Sequence, residues 1–142
     1  MKKYLIIATL LLGACTSFMG KTNYVPIGPQ NLSRNVKNAK DMPSFANPNQ
    51  VTKPYSNLGF YQVQGLPNDM SIIKKEIEKV KEFAAKKGAD AIIIRRYYNE
   101  GNPSYPINLS SYFLKYVETI TPEDEQKIAE FLNTVGNTND EM

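Results

Sequence analysis

The sequence predicts an α+β protein: one small β-α-β-β-α domain, its helices packed on a small mixed sheet, after a disordered tether. Three observations carry this. Ile73, Ile77, Val80 and Ala84 recur at spacings of 4, 3 and 4, the period of an amphipathic helix. Apolar, β-rich runs flank that stripe, centred on residues 58–64 and 92–94. Before residue 55 the chain changes character, with asparagine and proline replacing periodic apolar residues.

Taken in order, residues 16–54 read as a tether. Asn23, Asn31, Asn35, Asn38, Asn47 and Asn49 alternate with Pro26, Pro29, Pro43, Pro48 and Pro54, and large apolar residues are sparse. Such a segment buries too little surface to offset its ordering entropy. One exception is Tyr24-Val25-Pro26-Ile27, which could add an edge strand, where proline is tolerated. Residues 58–64 form the first strand of the domain, with Gly59, Tyr61 and Val63 on one face and Leu58, Phe60 and Gln62 on the other. The run Gly65-Leu66-Pro67-Asn68-Asp69 is a turn. Residues 71–87 form the first helix. Ile72 and Phe83 widen its stripe, Glu82 and Lys86 stand in i,i+4 order opposite, and Gly88 closes it.

Residues 89–98 form a covered strand centred on Ile92-Ile93-Ile94, and a strand-helix-strand run implies a parallel crossover. Residues 99–110, with Gly101, Pro103 and Pro106, read as a loop. Residues 112–120 form a third strand, antiparallel to the second. Thr121-Pro122 followed by Glu123, Asp124 and Glu125 opens the second helix with a capping hydroxyl, proline at its first position and acids in its first turn. Ile128, Leu132 and Val135 supply its buried stripe and Gly136 its end. The domain therefore spans residues 55–136, with a frayed tail at 137–142.

The first seventeen residues say where the protein resides. Lys2 and Lys3 precede the nine-residue apolar core 4–12. That length suits a signal peptide, whose core is roughly 7–15 residues, and falls short of the ~20 needed to span a bilayer. Leu12-Gly13-Ala14-Cys15 resembles the lipobox of bacterial lipoproteins. The resemblance implies cleavage of residues 1–14, a diacylglyceryl thioether on Cys15 and acylation of the freed amine. Residues 15–54 are then the lipidated N-terminus and tether. Several acyl chains, at about 0.8 kcal/mol per buried CH₂, anchor a protein stably to a membrane. Thr16 and Ser17 follow the cysteine where, in the enterobacterial families it resembles, an aspartate signals inner-membrane retention. The implied location is the bacterial cell membrane, and the outer membrane in a diderm source.

Composition excludes several functions. The 142 residues less the 14 of the signal leave 128, and loss of Lys2 and Lys3 brings the net charge from +3 to +1. A near-neutral chain lacks the field that draws nucleic acid. Cys15 is the single cysteine, so no disulfide can form within the chain, and there is no histidine. The commonest general base and transition-metal ligand is thus missing. No phosphate-binding glycine loop, metal-ligand set or nucleophile–base pair is present, so no cofactor, no metal and no enzymatic activity are expected.

Tyr55-Ser56-Asn57-Leu58-Gly59, followed by Ala84-Ala85-Lys86-Lys87-Gly88-Ala89-Asp90-Ala91-Ile92-Ile93, is similar in layout to the small domain of Rcs-type envelope-stress sensor lipoproteins and to uncharacterised lipoprotein families. The likeness spans about forty residues and implies the architecture. The disulfides on which that sensor relies have no counterpart here.

Among candidate residues, Asp90 opens a buried strand, with its carboxylate expected to cap local amides. A hydrolase reading would pair it with Glu100 or Glu118. Arg95-Arg96-Tyr97-Tyr98 is split by strand alternation into Arg95 with Tyr97 and Arg96 with Tyr98. Eight tyrosines remain after processing, and Tyr97, Tyr98, Tyr105 and Tyr112 cluster around the long loop. A tyrosine-rich surface can bind protein or glycan, because the ring is rigid and amphipathic. The sequence thus favours a lipid-anchored, non-catalytic interaction or assembly module that meets an envelope protein or the cell wall.

Overall fold

A computed structural model describes residues 21–98 and 106–140. The expectations for the signal peptide, for Leu12, Gly13, Ala14, Cys15, Glu100 and Tyr105, and for the last two residues of the tail lie outside the described residues. The elements run β1 (Lys21–Pro26), β2 (Ser44–Phe45), β3 (Tyr55–Leu66), α1 (Met70–Lys86), β4 (Ala91–Tyr98), β5 (Ile107–Tyr116) and α2 (Pro122–Asp140). The five strands form one mixed sheet in the order β1-β3-β5-β4-β2. Among the described residues only β2 and β4 pair in parallel. β3 and β4, joined through α1, run the same way with β5 between them, so β5 is antiparallel to both.

α1 packs on one face of the sheet. Ile73, Val80, Ala84 and Ala85 are buried against Leu58, Val63, Ile92, Leu109 and Phe113. The rings of Tyr24, Tyr61, Phe83 and Phe113 meet with centroids 5.1–6.0 Å apart. Ile77, expected mid-stripe, is only part-buried at the edge of this core. Asp69 caps the helix start by accepting from the Ser71 amide at 2.8 Å. Gly88 closes it at φ +90°, where a β-carbon would lie 2.5 Å from the Leu32 carbonyl oxygen.

The structure overturns the tether for residues 21–54. β1 lies along β3, and the Ile27 and Gly28 amides both donate to the Leu58 carbonyl at 3.0 Å. Leu32, Ala39 and Met42 are buried in the core of α1, while Phe45 and Val51 cover Ala91, Ile93 and Leu114 on the other sheet face. The turns between are built by the asparagines and prolines themselves. Asn38 caps a short 3-10 turn, and Asn47 and Gln50 close a capping box around Pro48. Apolar residues used singly in a non-repeating path leave no period to read. Limited proteolysis of the detergent-solubilised chain is therefore expected to retain residues 21–54, and rapid trimming to Pro54 would contradict this packing.

Smaller features also differ from the expectation. β5 takes in Ile107–Ser110 from the expected loop, and its strand ends at Tyr116, where residues 117–119 make a 3-10 turn. Leu58 is the extra residue of a bulge between the Asn57/Leu114 and Gly59/Phe113 pairs, which turns it to the α1 side with Val63 rather than to the face of Phe60. α2 passes through Gly136 to Asp140, into the expected tail. Its expected buried stripe is not buried: Leu132 is 60% and Val135 44% exposed, with Ile128 part-buried. The helix is held by polar contacts of its first turns. Asp124 is 1% exposed and accepts from the Ser33 amide at 2.7 Å, the Ser33 hydroxyl and the Thr121 amide, while the Lys127 ammonium donates to the Asn31 carbonyl at 2.6 Å.

Burial alone would raise the pKa of Asp124, but these donors outweigh it and hold the carboxyl at about 2. The folded value lies below the unfolded one. Its stabilisation, about 1–2 kcal/mol after allowing for solvent screening, is therefore present above pH ~4 and lost as pH falls towards 2. Asp124→Asn is expected to flatten that acid limb in urea melts taken between pH 5 and 2. An unchanged limb would show that Asp124 is not its source.

Candidate functional site

Among the described residues, the second face of the sheet is covered at one end only. There Phe45 and Val51 shield Ala91, Ile93 and Leu114, with Tyr55 and Tyr116 at the margin. Towards the other end the strands bring an apolar row to solvent. Val25 of β1 stands beside Phe60 of β3, Phe60 beside Tyr112 of β5, and Tyr112 beside Ile93 of β4. The Phe60 and Tyr112 rings lie 5.0 Å apart, a cross-strand aromatic pair of the kind that stabilises a sheet and offers a rigid apolar surface. Val25 and Tyr112 are both exposed, at 46% and 41%. The next row is polar and reads Asn23, Gln62, Ser110 and Arg95 across the same strands. A shallow cavity of about 170 Å³ opens here, lined by Pro48, Ile93, Arg95, Tyr97, Ser110 and Tyr112.

Of the four tyrosines singled out in the sequence, Tyr97 and Tyr112 share this face and line the same cavity. Tyr98 lies on the opposite face with Arg96, whose guanidinium donates to the Met70 sulfur at 3.4 Å. Tyr105 lies outside the described residues. The alternation expected of Arg95-Arg96-Tyr97-Tyr98 is the one observed. Sequence reasoning missed Phe60 and Val25. Val25 lies in the stretch Tyr24-Val25-Pro26-Ile27 offered as an edge strand, which β1 bears out, but its place beside Phe60 was not read, and Phe60 becomes a neighbour of Tyr112 only through the bulged β3–β5 register.

Asp90 takes a structural place. It is 3% exposed, and one carboxylate oxygen accepts from the Tyr116 amide at 2.8 Å and from the Thr119 hydroxyl. The other lies 3.7 Å from the ammonium of Lys115, itself fully buried and donating to the Ser33 carbonyl at 2.8 Å. The carboxylate thus holds the end of β5 and the turn after it, rather than amides of its own turn. Glu118, its suggested partner in hydrolysis, is on the surface in an ion pair with Lys53 at 2.7 Å. Lysine within the apolar run Phe113-Leu114-Lys115-Tyr116 was the available signal for the pair, since a buried charge must be met by another.

Among the described residues no three His, Cys, Asp or Glu side chains gather where they could hold a metal ion. No helix among them is long and apolar enough to cross a membrane. The sheet end presents a rigid aromatic strip with amide, hydroxyl and guanidinium groups at its border.

No family model and no curated protein matches the chain. Among solved structures, the Francisella virulence factor FvfA is similar, at 19% identity and a TM-score of 0.49, over 66% of this chain and 95% of that one.

Proposed function

We propose that the chain is a lipid-anchored protein of the bacterial envelope that acts as a non-catalytic interaction or assembly module. Acylated Cys15 would hold it on a membrane, the outer membrane in a diderm source. The open sheet face would meet an envelope protein or the cell wall, and nucleic acid has no part in the reading. The observation that carries it is the row Val25-Phe60-Tyr112, exposed at Val25 and Tyr112 and half-buried at Phe60, with exposed Tyr97 on the same face: an apolar strip on a rigid sheet with a polar border. Contact surfaces draw their binding energy from such aromatic anchors, each typically contributing at least 1–2 kcal/mol at the centre of an interface.

Two measurements test the two halves of this reading. Cys15→Ser is expected to abolish metabolic palmitate labelling and to move the chain from the membrane to the soluble fraction. Retention on membranes after a high-salt wash would place the anchor elsewhere. Capture from detergent-solubilised envelope by the wild-type chain is expected to recover a partner that a Tyr97→Ala/Tyr112→Ala variant recovers about tenfold less well. Equal recovery would remove the surface reading.

A further inference from the structure

The edge of β4 is only partly covered. β2 pairs with it at Ile92 and Ile93 alone, through Ser44 and Phe45. From Ile94 to Tyr98 the strand has β5 on one side and, among the described residues, no strand on the other. The Ile92 amide donates towards β2, to the Pro43 carbonyl at 3.1 Å. Backbone groups alternate in direction along a strand, so those of Ile94, Arg96 and Tyr98 face the same edge. Arg96 and Tyr98 lie beyond the end of the β2 ladder.

A groove of about 430 Å³ follows this edge, walled by Ala46 and Asn47 on one side and by Ile77, Ile94, Arg96 and Tyr98 on the other. Its two flanks carry the same chemistry. Arg95 and Tyr97 rise on the open face, Arg96 and Tyr98 on the α1 face. Arg95 is held in place, its Nε donating to the Ala46 carbonyl at 2.8 Å and its Nη2 to Asn47 Oδ1 at 2.6 Å. Neither arginine is in an ion pair among the described residues. An open edge is a template for a further strand, and the added strand sends consecutive side chains to opposite faces. Two consecutive arginines on opposite faces therefore match two consecutive acids. A second copy of this edge would instead bring like charges together, which disfavours self-pairing.

We infer that the Ile94–Tyr98 edge of β4 accepts an extended acidic peptide of a partner protein as an added strand, its consecutive acids meeting Arg95 on one face and Arg96 on the other. This rests on the interaction-module reading and names the chemistry of the partner. Main-chain pairing supplies affinity, and the arginines, with Ile77 and Ile94, select the side chains.

The probe is a fluorescent valine- and threonine-rich peptide with a central Asp-Glu pair, added to the full chain in detergent. It is expected to bind about tenfold or more tightly than the same peptide with Lys-Lys at its centre, and the Arg95→Glu/Arg96→Glu variant should reverse that preference. Of two versions N-methylated on alternate amides, one should lose binding and the other keep it, because only one set faces the edge. Hydrogen exchange at residues 94–98 should slow in the complex. Equal binding of both methylated peptides, indifference to charge reversal, or no binding would each overturn the inference. Peptide indifference alongside partner capture that depends on Tyr97 and Tyr112 overturns this inference alone. Failure of that capture overturns the reading beneath it, and this one with it.

Discussion

Asp90→Ala is expected to destabilise the domain by about 3–5 kcal/mol, because it strands the ammonium of Lys115 in the protein interior. Both side chains are buried, at 2% and 0% exposure. The Tyr116 amide and the Thr119 hydroxyl lose their acceptor in the same step. In a protein of ordinary stability, about 5–15 kcal/mol, that loss is a large share of the total. Lys115→Met should cost a comparable amount by leaving Asp90 charged and unpaired. The double variant Asp90→Ala/Lys115→Met should recover much of the loss, since it buries no charge, but not all, since the Tyr116 amide still lacks a partner. Urea melts of the three variants decide the matter. Additive losses would mean that the two groups do not act as a pair.

The second large effect is in the aromatic core. Phe113 is fully buried on β5, with its ring against those of Tyr24, Tyr61 and Phe83. Phe113→Ala removes those contacts and leaves a cavity between the sheet and α1, at a cost of about 3–5 kcal/mol. Leu132→Ala, on α2, removes an apolar side chain of similar standing in the sequence but 60% exposed in the fold, and should cost under about 0.5 kcal/mol. Melting curves that rank the two equally would place the α2 stripe back in the core. Tyr24 makes the comparison more informative. It enters the Phe113 cluster from β1, so loss of this core should also free residues 21–26 to exchange with solvent.

α1 and the centre of β4 were legible because they obey a period. Ile73, Val80 and Ala84 repeat as a helix face must, and Ala91-Ile92-Ile93 is apolar on both sides because both faces of that strand end are covered. The start of α2 was equally plain, since Thr121, Pro122 and the acids after them satisfy helix-end groups locally. Beyond the edge strand offered at Tyr24-Val25-Pro26-Ile27, segment 28–54 was opaque for the opposite reason. Leu32, Met42 and Phe45 are fixed by what they touch in α1, β4 and β5, and no local rule spaces them.

The same division holds for the site. Alternation along β4 placed Arg95 with Tyr97 and Arg96 with Tyr98 before any fold was known, because a strand has only two faces. The neighbours of those residues depend on sheet order, on the bulge at Leu58 and on where β2 stops, all of which are set by long-range packing. The sequence by itself determined the α+β class, the helix starts and the periodic core, because these rest on interactions within a few residues of one another. Only the tertiary structure decided that residues 21–54 belong to the domain, that Asp90 and Lys115 pair, that the stripe of α2 faces solvent, and which side chains share the open face. Each of these is a contact between distant parts of the chain, and its free energy exists only when both partners are brought together.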